Sequence, residues 1–280
     1  MTSLRRMFLA ALTMAIGVHA NGAEHSPPVS TNTESTTFSV DVTGIWYNPN
    51  ESGWGMNVIQ QSQTLFVTLF VYGQNGAPTW LVGPATTYTS VDSSGAFVFS
   101  GTLYSTTGPW FGATTFNANS VTVNPVGTIT IRFPTYASAQ VTYSVNGVTV
   151  VKNVVPQTWL QNNLNGTYVG GTYGASASCG LPVQNTGALI GFKISTVGNT
   201  ATILMTDVQQ NTCTLIGTIT QTGKLSQIDG NYTCSFGTAG QFSLRRLEAG
   251  VDGLSGAYAT LSGTGCNAAI ATIGAARVSF

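Results

Sequence analysis

Histidine is nearly absent from this chain. The only two, His19 and His25, lie within the first 25 residues. Everything beyond them lacks the one side chain that titrates near neutral pH. That excludes Ser-His-Asp and Cys-His nucleophiles and histidine-based zinc or iron sites. Charge is scarce too: Asp, Glu, Lys and Arg make up 6% of 280 residues, nine acids against nine bases, where about 25% is usual. Such a chain has no basic surface for nucleic acid, and its solubility falls to Ser, Thr, Asn, Gln and Gly. Helix signals are missing, since no window holds a sustained 3.6-residue apolar period with caps. The stretch Gly170-Gly171-Thr172-Tyr173-Gly174 has no lysine and is not a phosphate-binding loop. Cysteine is absent before residue 179, and the spacing of the four cysteines lacks the CxxC pairs of a structural zinc site. No cofactor or metal is expected.

What is present begins with an export-type start. Arg5 and Arg6 precede the apolar run Met7 to Val18, and Val18-His19-Ala20 fits a small-residue cleavage site, so residues 1–20 read as a signal peptide. The run is too short to span a bilayer, and no transmembrane segment is expected. Residues 21–38, with Pro27-Pro28 and many Ser and Thr, read as a flexible leader. A secreted or periplasmic location follows. The four cysteines, Cys179, Cys213, Cys234 and Cys266, are then expected to form two disulfides. Cys213 and Cys234 flank the turn at Thr222-Gly223 almost symmetrically, which suits a cross-strand bridge, with Cys179–Cys266 closing the domain. Cys179–Cys213 with Cys234–Cys266 is the alternative.

Strand signals fill the rest. Residues 64–72 (TLFVTLFVY), 78–82, 96–104, 121–133, 139–145 and 148–154 are rich in β-branched and aromatic residues and are separated by turns, including the hairpin pair Asn146-Gly147. Pro125 belongs at a strand edge or bulge. After the polar joint 161–166, eight further strands are read between Thr167 and Val278. The fold class is all-β: two consecutive antiparallel meander units, 39–160 and 161–280, each a small closed or nearly closed barrel that removes exposed sheet edges. Gly44-Ile45-Trp46 and Gly166-Thr167-Tyr168 open the two units alike, as a weak internal repeat or as ordinary strand starts.

The run Gly44-Ile45-Trp46-Tyr47-Asn48-Pro49-Asn50-Glu51-Ser52-Gly53-Trp54-Gly55 resembles the opening of a group of secreted proteobacterial domains of unassigned function, Gly-x-Trp-(Trp/Tyr)-Asn-Pro-x-x-Ser-Gly-x-Gly. The stretch Phe70 to Trp80 and the cysteine-containing unit Cys213 to Gly240 are similar to that group as well. The resemblance implies secretion and architecture, not a reaction. The first strand also resembles, more distantly, that of avidin-like and lipocalin-like meander barrels. No biotin-contacting residue matches beyond it.

Within this frame, Trp46 and Trp80 are expected in the core, and Gly53 and Gly55 are expected to shape a loop by unusual backbone angles or by letting a ligand approach closely. Glu51 and Trp54, with Asn48, Tyr47, Trp110 and Arg132, are the candidate ligand-binding residues. Arg132 either enters the barrel and meets Glu51 or faces solvent. Glu51 either binds a polar ligand or holds its own turn. The expected function is non-catalytic binding of a glycan or a small polar or aromatic molecule. The competing readings are a structural or protein-contact module, and a glycosidase pairing Glu51 with Asp41, Asp92, Asp207, Asp229, Asp252 or Glu248.

Overall fold

The computed structural model describes residues 41–177, 183–262 and 268–279. The expected signal peptide and leader, and Cys179 and Cys266, lie outside these residues. The chain forms two eight-stranded antiparallel barrels. The first comprises β1 (Gly44–Tyr47), β2 (Gly55–Gln61), β3 (Thr64–Tyr72), β4 (Pro78–Val91), β5 (Phe97–Thr107), β6 (Thr122–Thr135), β7 (Ser138–Val145) and β8 (Val148–Pro156). The second comprises β9 (Gly166–Ala177), β10 (Gln184–Val197), β11 (Thr200–Asp207), β12 (Thr212–Thr222), β13 (Leu225–Cys234), β14 (Ala239–Ala249), β15 (Gly253–Ser262) and β16 (Ala268–Ser279). No helix among the described residues is long and apolar enough to cross a membrane.

Period-two alternation decides which side chains face inward. In β3, Leu65, Val67 and Leu69 are buried while Phe66, Phe70 and Tyr72 are exposed. The first interior is filled. Trp46, Met56, Val58, Leu65, Val67, Leu69, Leu103, Ile129, Ile131 and Val141 have essentially no exposed surface. The ring of Trp46 meets Phe133 edge-on at 5.2 Å, and Phe133 meets Phe99 at 5.7 Å. The second barrel has its own core around Tyr168, Ile203, Ile228 and Leu247.

The barrels close differently. β9 and β16 pair along nearly their whole length. β1 and β8 share only Trp46↔Pro156 and Tyr47↔Val155, because the chain leaves the sheet after Tyr47. The upper part of β8 therefore has no strand on its β1 side among the described residues. Lys152 sits there, opposite the buried Val141, and an inward charge beside an open edge guards it against pairing with another chain.

Consecutive antiparallel strands put alternate connections at opposite ends. The β1–β2, β3–β4, β5–β6 and β7–β8 connections share one end of the first barrel, here termed distal. The other end faces the second barrel. The peptide N–H of Gly223 donates to Thr158 Oγ1 at 2.9 Å, that of Asn162 to Gln221 Oε1 at 2.8 Å, and Lys224 bonds Asp41 at 2.6 Å. The linker is thus tied to the β12–β13 hairpin rather than hanging free.

Three local readings meet their structural counterparts. Cys213 and Cys234 are cross-strand partners in β12 and β13 and form a disulfide, so the alternative pairing of these two with Cys179 and Cys266 falls. Pro125 adjoins the register shift between β5 and β6, where no ladder N–H is needed. Trp46 is core. One strand has no counterpart in the sequence reading and one reading needs correction. Gly55 to Gln61 forms β2: Met56 and Val58 point inward, and the outward Ile59 blurs the alternation. Trp80 is not core. Leu69 pairs with the inward Leu81, which forces Phe70 and Trp80, one residue along on each strand, to face each other outside.

Candidate functional site

The distal end is organised by the segment that follows β1. Asn48 makes the turn, accepting the Glu51 N–H on its carbonyl at 3.0 Å and the Asn50 N–H on Oδ1 at 2.9 Å, an Asx turn. Gly53 has φ +114°, a conformation that favours glycine. Gly55 is required for packing instead. A Cβ there would lie 2.6 Å from the Phe70 ring and 2.8 Å from the Trp46 carbonyl. The close approach that Gly55 permits is therefore from the protein's own aromatic ring, and Tyr72 similarly lies against Gly53.

Between these glycines Trp54 packs half-buried against the first core. Its indole N–H donates to Glu51 Oε2 at 2.9 Å, and Lys152 Nζ donates to Glu51 Oε1 at 2.9 Å. The ammonium also lies 5.9 Å from the Trp54 ring centre, within reach of a cation–π contact. Trp54, Glu51 and Lys152 form a clasp across the seam that β1 leaves open. The Lys152 hydrogen bond, helped by the Trp54 N–H and opposed by partial desolvation, holds the Glu51 carboxyl below its ordinary 4.5. Tyr143 lies in the same field. Burial pushes its phenol upward, with Lys152 opposing and Glu51 adding.

Beside the clasp lies an open depression of about 610 Å³, lined among others by Asn48, Glu51, Arg132, Gln140, Lys152 and Asn153. It brings three predicted residues together, but not as a Glu51–Arg132 pair. Arg132 alternates with the inward Ile131 and Phe133, so it faces out and bonds Asp92 in the β4–β5 turn, with Nε donating at 2.7 Å. Ser94 and Arg132 hold the Asp92 carboxyl well below the usual range. Glu51 takes Lys152 instead. Among the described residues lining this depression Glu51 is the one carboxylate, and no cluster of three metal-ligating side chains occurs among the described residues. Asp41 and Glu248 converge at the base on Lys224. Tyr47 is half-buried, and Trp110 is exposed in the β5–β6 loop.

The residues that sequence reasoning passed over are Phe70, Tyr72 and Lys152. Phe70 and Trp80 are paired across β3 and β4, Tyr72 opposes Pro78, and Tyr72 and Trp80 are 59% and 54% exposed. Together with Phe66 and the aliphatic Ile59 they form an outer apolar row, mostly aromatic, that runs up to the 48–54 loop. The signal was in TLFVTLFVY: large apolar residues at both parities of one strand require one set to face outward.

The clasp has a pH signature. Because the Glu51 pKa is depressed on folding, its contribution is complete above the unfolded value near 4.5 and is lost as pH falls through the folded value. Tryptophan emission is expected to stay constant from neutral pH down to about 5 and to change below that as the acceptor of the Trp54 N–H is protonated. Glu51→Gln should remove that step. A step that survives in Glu51→Gln has another origin.

No protein-family model and no curated protein sequence matches the chain. Among solved structures, a protein of unknown function from the DUF3598 family of Nostoc punctiforme is similar over 84% of this chain and 96% of its own, at 12% identity and a TM-score of 0.24. The fold rests on the strand pairing described above.

Proposed function

We propose that this is a secreted or periplasmic, non-catalytic binding protein whose first barrel takes a glycan on its outer surface, along the row Phe70, Tyr72 and Trp80 and against the loop that carries Glu51 and Trp54. The carrying observation is the in-register pairing of exposed aromatic rings beside that loop. A pyranose ring has a flat face of C–H groups that packs on an indole or phenol. Its hydroxyls need acceptors and donors at the rim, which Asn48, Asn50 and Glu51 offer. A few placed polar groups around an apolar surface is the usual composition of a ligand site. The close-packed interior favours a site outside the barrel. The Cys213–Cys234 bridge and the resemblance of Gly44 to Gly55 to secreted domains support the compartment.

A second reading is a protein-contact module, favoured by the same row as an exposed apolar surface beside a filled core. Titration with a panel of oligosaccharides, followed by tryptophan emission, separates the two. Saturable binding is expected to weaken at least tenfold in Trp80→Ala and Tyr72→Ala, about the loss of one stacked ring. Trp54→Ala should weaken it through the loop. If no oligosaccharide shifts the emission, the glycan reading fails and the protein-contact reading stands.

A further inference from the structure

A different part of the distal end carries a second inference. The β5–β6 loop runs from Gly108 to Val121 and exposes Trp110 (69%), Phe111 (95%) and Phe116 (69%). Its tip is internally hydrogen-bonded. The Ala113 N–H donates to the Trp110 carbonyl at 3.0 Å, and the short 3-10 turn Ala118–Ser120 is capped by Asn117. The Trp110 ring folds over Gly112, whose missing Cβ would lie 2.6 Å from it. Trp110 and Phe111 stand side by side with ring centres 5.7 Å apart. The exposed Val123 and Val148 lie next to the loop at the same end.

Charge is what sets this end apart. From Ser93 to Ile131 no residue is charged. Of the four distal connections only the β1–β2 loop holds a charged residue, Glu51, and Lys152 neutralises it. Trp110, Phe111 and Phe116 do not line the depression beside the clasp. These rings are the most exposed large aromatic side chains of the distal end among the described residues. A fluid surface conforms to exposed rings without needing a complementary shape. Tryptophan favours the membrane–water interface, and entry there costs little for a tip with no charge to desolvate and with Ser, Thr and Asn at its flanks for the headgroups.

We propose that the β5–β6 loop is a membrane-contact element that inserts Trp110, Phe111 and Phe116 into the interfacial zone of an uncharged lipid surface. The absence of lysine and arginine from the loop makes the contact independent of anionic lipid and insensitive to salt, unlike a polybasic anchor. It is also independent of the glycan reading, because neither Tyr72 nor Trp80 belongs to the loop.

The test uses the chain from Asn21 onward, which keeps both barrels whole and omits the apolar run at 7–18. Its partition onto phosphatidylcholine vesicles free of glycolipid is measured by sedimentation, at about 0.1 M and about 1 M salt, together with the emission maximum. Binding with a blue shift is expected, unchanged by salt. The double substitution Trp110→Ser and Phe111→Ser should reduce the partition coefficient at least tenfold, and Phe116→Ser should reduce it independently. These side chains are exposed, so circular dichroism should be unaltered. The proposal is overturned if the chain stays in the supernatant, if the loop substitutions leave partition unchanged, or if binding needs anionic lipid and vanishes in salt. It is also overturned if the substitutions abolish self-association and not vesicle binding. Loss of oligosaccharide binding with vesicle binding intact would sink the glycan reading alone.

Discussion

Trp46→Ala is expected to destabilise the first barrel by roughly 3–5 kcal/mol, the range for emptying a buried aromatic site. Trp46 is 1% exposed, stacks edge-on with Phe133 and donates its indole N–H to the Val42 carbonyl at 3.0 Å. Truncation opens a cavity at the base of the barrel and orphans that carbonyl. The site cannot collapse easily, because Trp46 also stands at one of the two rungs joining β1 to β8. Against a typical total of about 5–15 kcal/mol, this loss consumes much of the stability available. The chain supplies its own readout. All five tryptophans precede residue 160, so urea unfolding followed by tryptophan emission reports the first barrel and its linker, while far-UV circular dichroism reports both. The emission midpoint should fall further than the dichroism of the second barrel. A shift below about 1 kcal/mol would mean that Trp46 is not the closing element argued here.

How much of this was legible depends on range. Period-two alternation and turn residues act locally, so most strands could be read, and the Cys213–Cys234 bridge stood as one of two pairings, suggested by ends that flank one turn almost symmetrically. Errors arose where a second chain segment decides. Whether Trp80 faces in or out depends on the pairing of Leu81 with Leu69, which Trp80's own neighbours do not reveal. Arg132 stands out in the sequence as a lone strand charge, but its partner Asp92 lies 40 residues earlier. The Glu51–Lys152 contact spans 101 residues, and nothing near Lys152 announces it. The Gly44 to Gly55 run stood out in the sequence for its aromatics. The structure explains its glycines by the rings of Phe70 and Tyr72, which the sequence places on another strand.

Arg277→Met is the corresponding experiment on the second barrel, and it tests whether the two openings are equivalent. Trp46 donates to the carbonyl of Val42, and the Tyr168 hydroxyl donates to that of Leu164 at 2.9 Å, both four residues back. Gly44 and Gly166 stand two residues before each ring, with φ +157° and +144°. The ring and its anchor therefore repeat. The partner on the last strand does not. Tyr168 pairs with Arg277, whereas Trp46 pairs with Pro156. The Arg277 guanidinium lies 4.7 Å from the Tyr168 ring centre and donates to the carbonyls of Asn165 and Asn163. It thereby ties β16 to the segment leading into β9. Proline can offer none of this. In its place Gly223, in the β12–β13 hairpin, sits so close that a Cβ would lie 2.8 Å from Pro156, and Lys224 reaches Asp41. The second barrel thus closes its own base with an arginine, and its hairpin covers the base of the first. Losing Arg277 removes two charge-assisted hydrogen bonds and a cation–π contact, about 2–4 kcal/mol once methionine retains part of the packing. The dichroism midpoint should fall more than the tryptophan midpoint, since the first barrel feels the change only through the hairpin. Arg277→Lys should recover part of the loss, as it keeps the charge without the planar fork. Equal shifts in both signals would show the two barrels to be one cooperative unit, and no shift would show that Tyr168 is held without the arginine.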